Sequence, residues 1–597
     1  MNPTKMKNIS NKFLPALLVG VVVISACNPL NKMAKKAELV KYTVTPNPLE
    51  MHGYQISTDI KVKYPEKFFH KKATVEVTPV LQDMDGNDIK AFRTETLIGE
   101  AADGDGKKVS YSKGGSISYM DSVEYKDAMR YGQLVIKAVG KFKTKEKAFD
   151  PIKIADATIT TPLLVQPDDR PIIGADDFKK VLPKTFNAEI NYLVNSANVR
   201  SSELRDEDID KMKEWVDAGQ EMNIVKDEEG KAVKGADPKE KFVFKSVGIE
   251  AYASPEGEIS RNENLADDRA KSAMNAVKNI LRREGIDAAS EDGFYNLKPK
   301  GEDWEGFKSL MQKSEIKDKD LIIRILEMYE DKNKREEEIK NLAATYVEVK
   351  EEVLPPLRRS QITINAEEKA KTDEEIQALV ASDPTKLTVE EMLYAATLTA
   401  DDDWDGKLAI YQTTEKTYPE DWRGANNVGY VLLLQGKVDE AEAQFNKADK
   451  ISPNNAVIIN NQGVIVRWKG DYKKAKEYYE RATSAGNDVK YNMGIVNIIE
   501  GDYQDAVVNF TGQNTLNAGL AQILNGDNEA AKKKIAASPE AGTAMAHYMQ
   551  AIIGARSNDQ TMVTSNLKKA IALDGSLKEK AKTDMEFLKY MDAVSSM

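Results

Sequence analysis

Few residues of this chain are equipped for covalent chemistry. Its 597 residues hold one cysteine, Cys27, and three scattered histidines, His52, His70 and His547. Structural zinc sites and nucleophile–base pairs need several such side chains close together, so both arrangements lack their parts. Carboxylates are plentiful, and Glu256 and Asp268 could in principle form an acid–base pair across a cleft. Among 96 acidic residues, however, chance proximity is expected, and the chain reads as non-catalytic, with no metal and no cofactor. What remains are groups suited to holding. The Cys27 thiol can be acylated. The amides of Asn426, Asn427, Asn460, Asn461 and Asn492, with Tyr430 and Tyr491, recur at a repeat spacing. An amide both donates and accepts, so stacked asparagines suit recognition of a peptide backbone; plain exposed polar residues are the alternative.

The elements that position these groups must be spread over several domains, because a chain of this length exceeds one core. A formal net charge of −11 argues against nucleic acid, whose phosphates need a basic face. Lys5, Lys7 and Lys12 precede an apolar run over residues 13–24, the pattern of a secretory signal. The run is shorter than the roughly 20 residues that span a bilayer.

It ends in Ile24-Ser25-Ala26-Cys27, which resembles the lipobox of bacterial lipoproteins. The resemblance implies a signal peptide over residues 1–26 and palmitate or a similar acyl group on Cys27; a plain signal peptide with a free cysteine is the alternative. Acyl chains contribute about 0.8 kcal/mol per buried methylene, so two or three make a nearly permanent membrane anchor. In lipoproteins an aspartate after the cysteine favours the inner membrane, and acidic runs send some to the cell surface. Asn28 is neutral and residues 28–36 carry three lysines and no acid, which implies the outer membrane, facing the periplasm. Residues 27–38 read as a lipidated linker.

Residues 55–64 alternate apolar and polar with period two, as a half-buried strand does. Ala73, Val75 and Val77 repeat the pattern, Asp85-Gly86-Asn87 and Gly114-Gly115 mark turns, and residues 134–142 supply a later strand. Residues 39–165 therefore read as an immunoglobulin-like antiparallel β-sandwich.

Strands are expected at 186–194 and 244–252, and helices at 206–218 and 264–282. Gly257, Asn262, Leu265, Arg269-Ala270, Val277 and Leu281, with Leu357-Arg358-Arg359-Ser360 before Gln361-Ile362-Thr363-Ile364, resemble the OmpA-like, peptidoglycan-associated domain. That family is an α/β sandwich, here over residues 166–365. Its aspartate and arginine grip the zwitterionic end of the wall's diaminopimelate. The resemblance places Arg269 at the arginine position, where a guanidinium can clamp a carboxylate bidentately. Ser254 stands at the aspartate position, which weakens wall binding, shifts it to Glu256, or abolishes it. The implied peptidoglycan-binding residues are Ser254, Glu256, Asn262, Arg269 and Arg358. Alternatively, Arg269 is neutralised by Asp267, Asp268 or a carboxylate of the closing strand. An insertion beginning Gly301-Glu302-Asp303-Trp304, followed by a charged helical stretch over 322–350, resembles a branch of the family in anaerobic gut and oral bacteria; Trp304 reads as a packing anchor.

Gly429, Ala441, Phe445 and Ala448 are matched 34 residues later by Gly463, Ala475, Tyr479 and Ala482, the tetratricopeptide period. Small residues let paired helices approach closely, and the aromatic residues fill the gap to the next hairpin. Gly494, Ala506 and Phe510 continue the series, as do Gly519, Ala531 and Ile535. Residues 385–597 read as an all-α solenoid, and 366–384 as the connector before it. The fold class is thus multidomain α+β: β-sandwich, OmpA-like α/β sandwich, tetratricopeptide solenoid.

Such a chain reads as an envelope adaptor. Its expected partners are the membrane through the lipid, peptidoglycan through the middle domain, and an unidentified protein in the groove of the repeats. A surface or periplasmic docking scaffold that does not touch the wall is the other reading.

Overall fold

The computed structural model describes residues 28–226, 229–234, 236 and 239–597. Cys27 and the signal-like segment lie outside them. The chain divides into two compact units, Met1–Ile172 with Asn454–Met597, and Ile173–Pro453.

In the first unit two sheets share one core. The central strand of one is Gln55–Tyr64, paired with Gly115–Glu124 on one side and with Lys41–Thr45 and Met51–His52 on the other. Its alternation is the one read from the sequence: Ile56, Thr58, Ile60, Val62 and Tyr64 are buried. The second sheet centres on Thr74–Asp83 and Gly132–Phe142, whose Val75, Leu81, Leu134 and Ile136 face the same core. Among the described residues the strand pairings of this unit are antiparallel except Glu95–Gly99 with Lys107–Val109, and an isolated bridge joins Glu50 and Ile159 in parallel. The stretch expected as a linker is different. Pro29–Ala34 is a helix, capped by the Asn28 side chain, and it buries Leu30 and Met33 in the sandwich. An apolar pair three residues apart lies on one helical face, which is enough to dock so short a helix.

The same unit holds helix hairpins, beginning with Ala456–Trp468 against Tyr472–Arg481 and Asn487–Glu500 against Tyr503–Asn509. In each, a glycine of the first helix lies under a large side chain 16 residues later: Gly463 under Tyr479, Gly494 under Phe510, Gly519 under Ile535. A β-carbon on Gly463 or Gly494 would sit 2.6 Å from the ring. The aromatic residues thus close their own hairpin, where they were expected to fill the gap to the next one. The sandwich rests on these helices: the His52 and Tyr503 rings meet edge-on at 4.5 Å, and Gly53 abuts the Glu500 carbonyl.

Near the C-terminus of this unit, Asp584 is buried, accepting from the Tyr548 hydroxyl at 2.7 Å and the Glu586 amide at 3.0 Å. Burial, reinforced by the Glu586 charge, raises its pKa from 3.8 to about 6; Lys580 opposes the shift. A carboxyl raised in the folded state stabilises the fold below its unfolded pKa, and the contribution fades as pH climbs through about 6. The full effect is on the order of 3 kcal/mol. Asp584→Asn is therefore expected to gain thermal stability over wild type as pH rises from 4 to 7, read as the difference between their melting temperatures at each pH. A difference that stays flat across the window would contradict the assignment.

The second unit carries a four-stranded sheet in the order Val181–Asn191, Arg359–Lys369, Phe242–Ala253, Tyr295–Glu302. The first three are antiparallel, and the last runs parallel to Phe242–Ala253. The helices Glu207–Gln220 and Ile259–Arg283 bury Ile209, Met212, Val216, Ala273, Val277 and Leu281 against the sheet. The charged stretch expected over 322–350 is several short helices, Lys319–Met328, Lys332–Lys340 and Ala343–Glu348. They close a small core of their own around Phe307, Met311 and Ile322, with Trp304 buried and its Nε1 donating to Glu302 at 2.8 Å. The expected connector at 366–384 is also ordered. The closing strand runs to Lys369, and Thr372 and Glu375 form a capping box that starts the helix Asp373–Ser382. Further helices, Trp404–Thr417, Trp422–Leu434 and Val438–Ile451, repeat the hairpin pattern, with Gly429 under Phe445.

Candidate functional site

Every asparagine proposed for the repeat groove is buried: Asn426, Asn427, Asn460, Asn461 and Asn492 are at most 1% exposed. A buried amide needs partners for its oxygen and its nitrogen. In the first unit most of these come from the chain's own segment ending at Ile172, and the Asn460 oxygen accepts from Asn492 at 2.9 Å. Asn461 accepts from the Ile172 amide at 2.7 Å and donates to the Ile172 carbonyl at 2.7 Å. Asn492 does the same with Arg170, at 2.8 and 2.9 Å, and Asn460 adds a bond to the Arg170 carbonyl at 3.0 Å. Asn517 does it with Gln166, at 2.7 and 2.9 Å. In the second unit, Asn427 embraces Gly174 in the same way, at 2.7 and 2.8 Å.

The four asparagines share one sequence position, two residues before the hairpin glycine: Asn427–Gly429, Asn461–Gly463, Asn492–Gly494, Asn517–Gly519. Each of these hairpin helices thus presents one amide that takes both backbone groups of one residue in an extended segment, and Asn460 is an additional donor from the helix that carries Asn461. The residues taken are 166, 170, 172 and 174, all even, as the period of an extended chain requires. Pro167 and Pro171, which have no N–H to give, fall at positions the amides skip.

Side chains add to the grip. The Arg170 guanidinium stacks 3.6 Å above the Tyr491 ring and reaches Asp488 at 3.3 Å. The Tyr491 hydroxyl donates to Asp168, whose pKa burial raises. Asp169 pairs with Arg467 and accepts from Trp468 Nε1 at 2.8 Å; its side chain has no exposed surface. In the second unit a β-carbon on Gly174 would lie 2.7 Å from Arg423 Cγ, so only glycine allows this approach. Arg423 is itself held by Glu390, at 2.7 and 3.0 Å, and by Asp421; these partners push its pKa up. Glu390 also accepts from the Asp177 amide at 2.6 Å. Tyr430, expected in the groove, packs instead against Trp404, with ring centroids 6.4 Å apart.

The second group of candidate residues also comes together, in the second unit. The Glu256 Oε1 atom accepts from Arg358 Nε at 3.1 Å, from the other end of that guanidinium at 2.8 Å, and from Ser254 Oγ at 2.8 Å. Asn262 donates to the Glu256 carbonyl at 3.1 Å and to Glu302 at 2.9 Å. Glu336, from the inserted helix Lys332–Lys340, accepts from the Gly257 amide. Arg269, expected to present its fork to a carboxylate, is 1% exposed and spends it on backbone carbonyls: Ser196 at 3.0 Å, Tyr252 at 2.8 Å and Leu193 at 3.2 Å. Burial pushes its pKa down to about 10. Its expected neutraliser Asp267 pairs with Lys271 instead. Arg269 thus ties a loop to the sheet, and the charge on Arg358 is met by Glu256.

The tetratricopeptide-repeat family profile matches residues 405–456, and a second profile of that family matches 460–485. These stretches are tetratricopeptide repeats. A curated protein, anaphase-promoting complex subunit 3 of Schizosaccharomyces pombe, is 43% identical over 61 residues, 10% of this chain and 9% of that protein. The match therefore spans less than a tenth of the relative's length. Among solved structures, a tetratricopeptide repeat protein from Parabacteroides merdae is 14% identical, covering 36% of this chain and 91% of that one, with a TM-score of 0.27. Pseudomonas aeruginosa pilF is 13% identical, covering 37% and 99%, with a TM-score of 0.29. Tetratricopeptide repeats imply a scaffold for protein–protein interaction and hence a protein partner.

Sequence reasoning missed Asn517 and the segment that the tetratricopeptide asparagines hold. Asn517 was within reach, because it sits two residues before Gly519 in a series whose spacing shortens from 34 to 31 to 25 residues. The segment falls within the stretch, residues 166–365, that the sequence reading gives to the middle domain. Its signal is a stretch without helical or strand periodicity, Gln166-Pro167-Asp168-Asp169-Arg170-Pro171, whose prolines favour an extended backbone.

Proposed function

We propose that the protein is a non-catalytic scaffold of the bacterial envelope, whose tetratricopeptide repeats hold its own interdomain segment as a strap. The observation that carries this reading is the asparagine ladder, which uses the peptide-binding amides of the repeats on residues 166–174 of the same chain. A tethered segment competes at an effective concentration that a free peptide rarely matches, so the ladder favours a permanent tie over a vacant receptor. The protein partner then docks on another face of the chain. The lipobox at Cys27 supports attachment to the outer membrane, on its periplasmic side. Two experiments test the parts separately. Radioactive fatty acid should label wild type and not Cys27→Ala; label retained on the variant would remove the anchor. Protease shaving of intact cells should leave the protein whole; prompt digestion would move it to the cell surface.

For the middle domain the OmpA-like resemblance supports a place facing the wall, with the sheet and the helix Ile259–Arg283 as its frame. The internal pairing of Glu256 with Arg358 favours the reading in which this face does not bind peptidoglycan, since the carboxylate a ligand would bring is already supplied. Wild type is expected to remain in the supernatant with purified sacculi. Co-sedimentation that Arg358→Ala abolishes would reinstate wall binding.

A further inference from the structure

The charge of this acidic chain is unevenly spread. Three stretches at one end of the β-sandwich, residues 28–36, 66–72 and 142–147, hold nine lysines and two glutamates, a net of +7 in a chain of net −11. Part of each stretch reaches one cleft of about 730 Å³, lined by the helix Pro29–Ala34 and the lysines after it, by Lys67 and His70, and by Phe142; Lys71 is paired outside it with Glu100 at 3.3 Å. Lys32, Lys35, Lys36 and Lys67 line it, and no carboxylate does. Lys67 in its lining and Lys143, whose ammonium lies 5.7 Å from the Phe142 ring, occupy turn positions with φ of 57° and 52°. A lysine there bears a local strain of about 1–2 kcal/mol that glycine would avoid. Partly exposed Tyr111 and Phe142 stand among the lysines.

We propose that this end of the sandwich is a membrane-docking surface for the phosphate headgroups of anionic lipids. Clustered lysines each contribute on the order of 1 kcal/mol beside an anionic leaflet, and aromatic rings among them suit the interface. The position favours a bilayer over a soluble anion, because the cleft begins at Asn28, the residue after Cys27. The inference deepens the anchored-lipoprotein reading by giving the anchor a second, electrostatic contact that orients the sandwich. It can fail separately, because its test needs no lipid on the protein.

The test uses the unacylated chain from residue 28 onward. It is expected to co-sediment with vesicles of mixed phosphatidylglycerol and phosphatidylcholine at low salt, and not with phosphatidylcholine alone. Lys32→Glu, Lys67→Glu and Lys143→Glu together should lower partitioning about hundredfold or more, while three such reversals at Lys568, Lys578 and Lys589 should not. Circular dichroism of both triple variants should match wild type. Equal sedimentation with the two vesicle types, or a patch variant that still partitions like wild type, would overturn the proposal. So would inorganic phosphate displacing the chain at constant ionic strength, since that marks a site for free phosphate.

Discussion

Replacing Asn461 and Asn492 together by alanine is expected to release the segment around Arg170 and Ile172 and expose it to proteolysis. Asn461→Ala leaves the part-buried N–H and C=O of Ile172 without their asparagine partner, and Asn492→Ala leaves the Arg170 N–H without its own, while the Arg170 carbonyl keeps Asn460. An orphaned buried group costs about 1–3 kcal/mol, so the three groups orphaned by the pair of substitutions are worth at least about 3 kcal/mol of attachment. Cleavage of a briefly opened segment follows the population of the open form. A protease that cuts before aspartate should therefore attack Asp168 and Asp169 at least about a hundredfold faster in the double variant. Unchanged cleavage would mean that the ladder does not bear the attachment.

Asp169→Asn is expected to be as damaging as the double substitution. The Asp169 side chain has no exposed surface and Arg467 is 11% exposed, so the pair is held out of water. Removing one partner of a buried ion pair costs about 3–5 kcal/mol, because the other charge is left without its counterion. Replacing the pair by neutral groups costs far less. Chemical denaturation should show Asp169→Asn strongly destabilised and the double variant Asp169→Asn, Arg467→Met largely recovered. A single variant as stable as wild type would show that Arg467 finds another partner without loss.

Local patterns in the sequence foretold much of this fold. The alternation over Gln55–Tyr64 is a half-buried strand, and the glycine spacing of the repeats follows from helices that must nearly touch. The asparagine positions were legible for the same reason, since a repeat puts equivalent side chains on equivalent faces. Their ligand was not. The Asn461–Ile172 contact joins residues 289 apart, and an extended segment bearing two prolines has no periodicity to announce what it meets. The helix Pro29–Ala34 was hidden by its length, six residues whose Leu30 and Met33 have meaning only once the sandwich offers a place for them. For Arg269 and Arg358 the residue types were legible but the pairing was not. Whether a guanidinium meets a ligand, a carboxylate or three carbonyls depends on how a distant loop and an inserted helix fold back on it.

The central claim, that the repeats bind the backbone of their own chain, is open to residue-resolved amide hydrogen exchange over 166–174. The ladder predicts an alternating pattern, with the Gln166, Arg170, Ile172 and Gly174 amides exchanging slowly and those of Asp169 and Ile173 quickly. Uniformly fast exchange along the segment would contradict it.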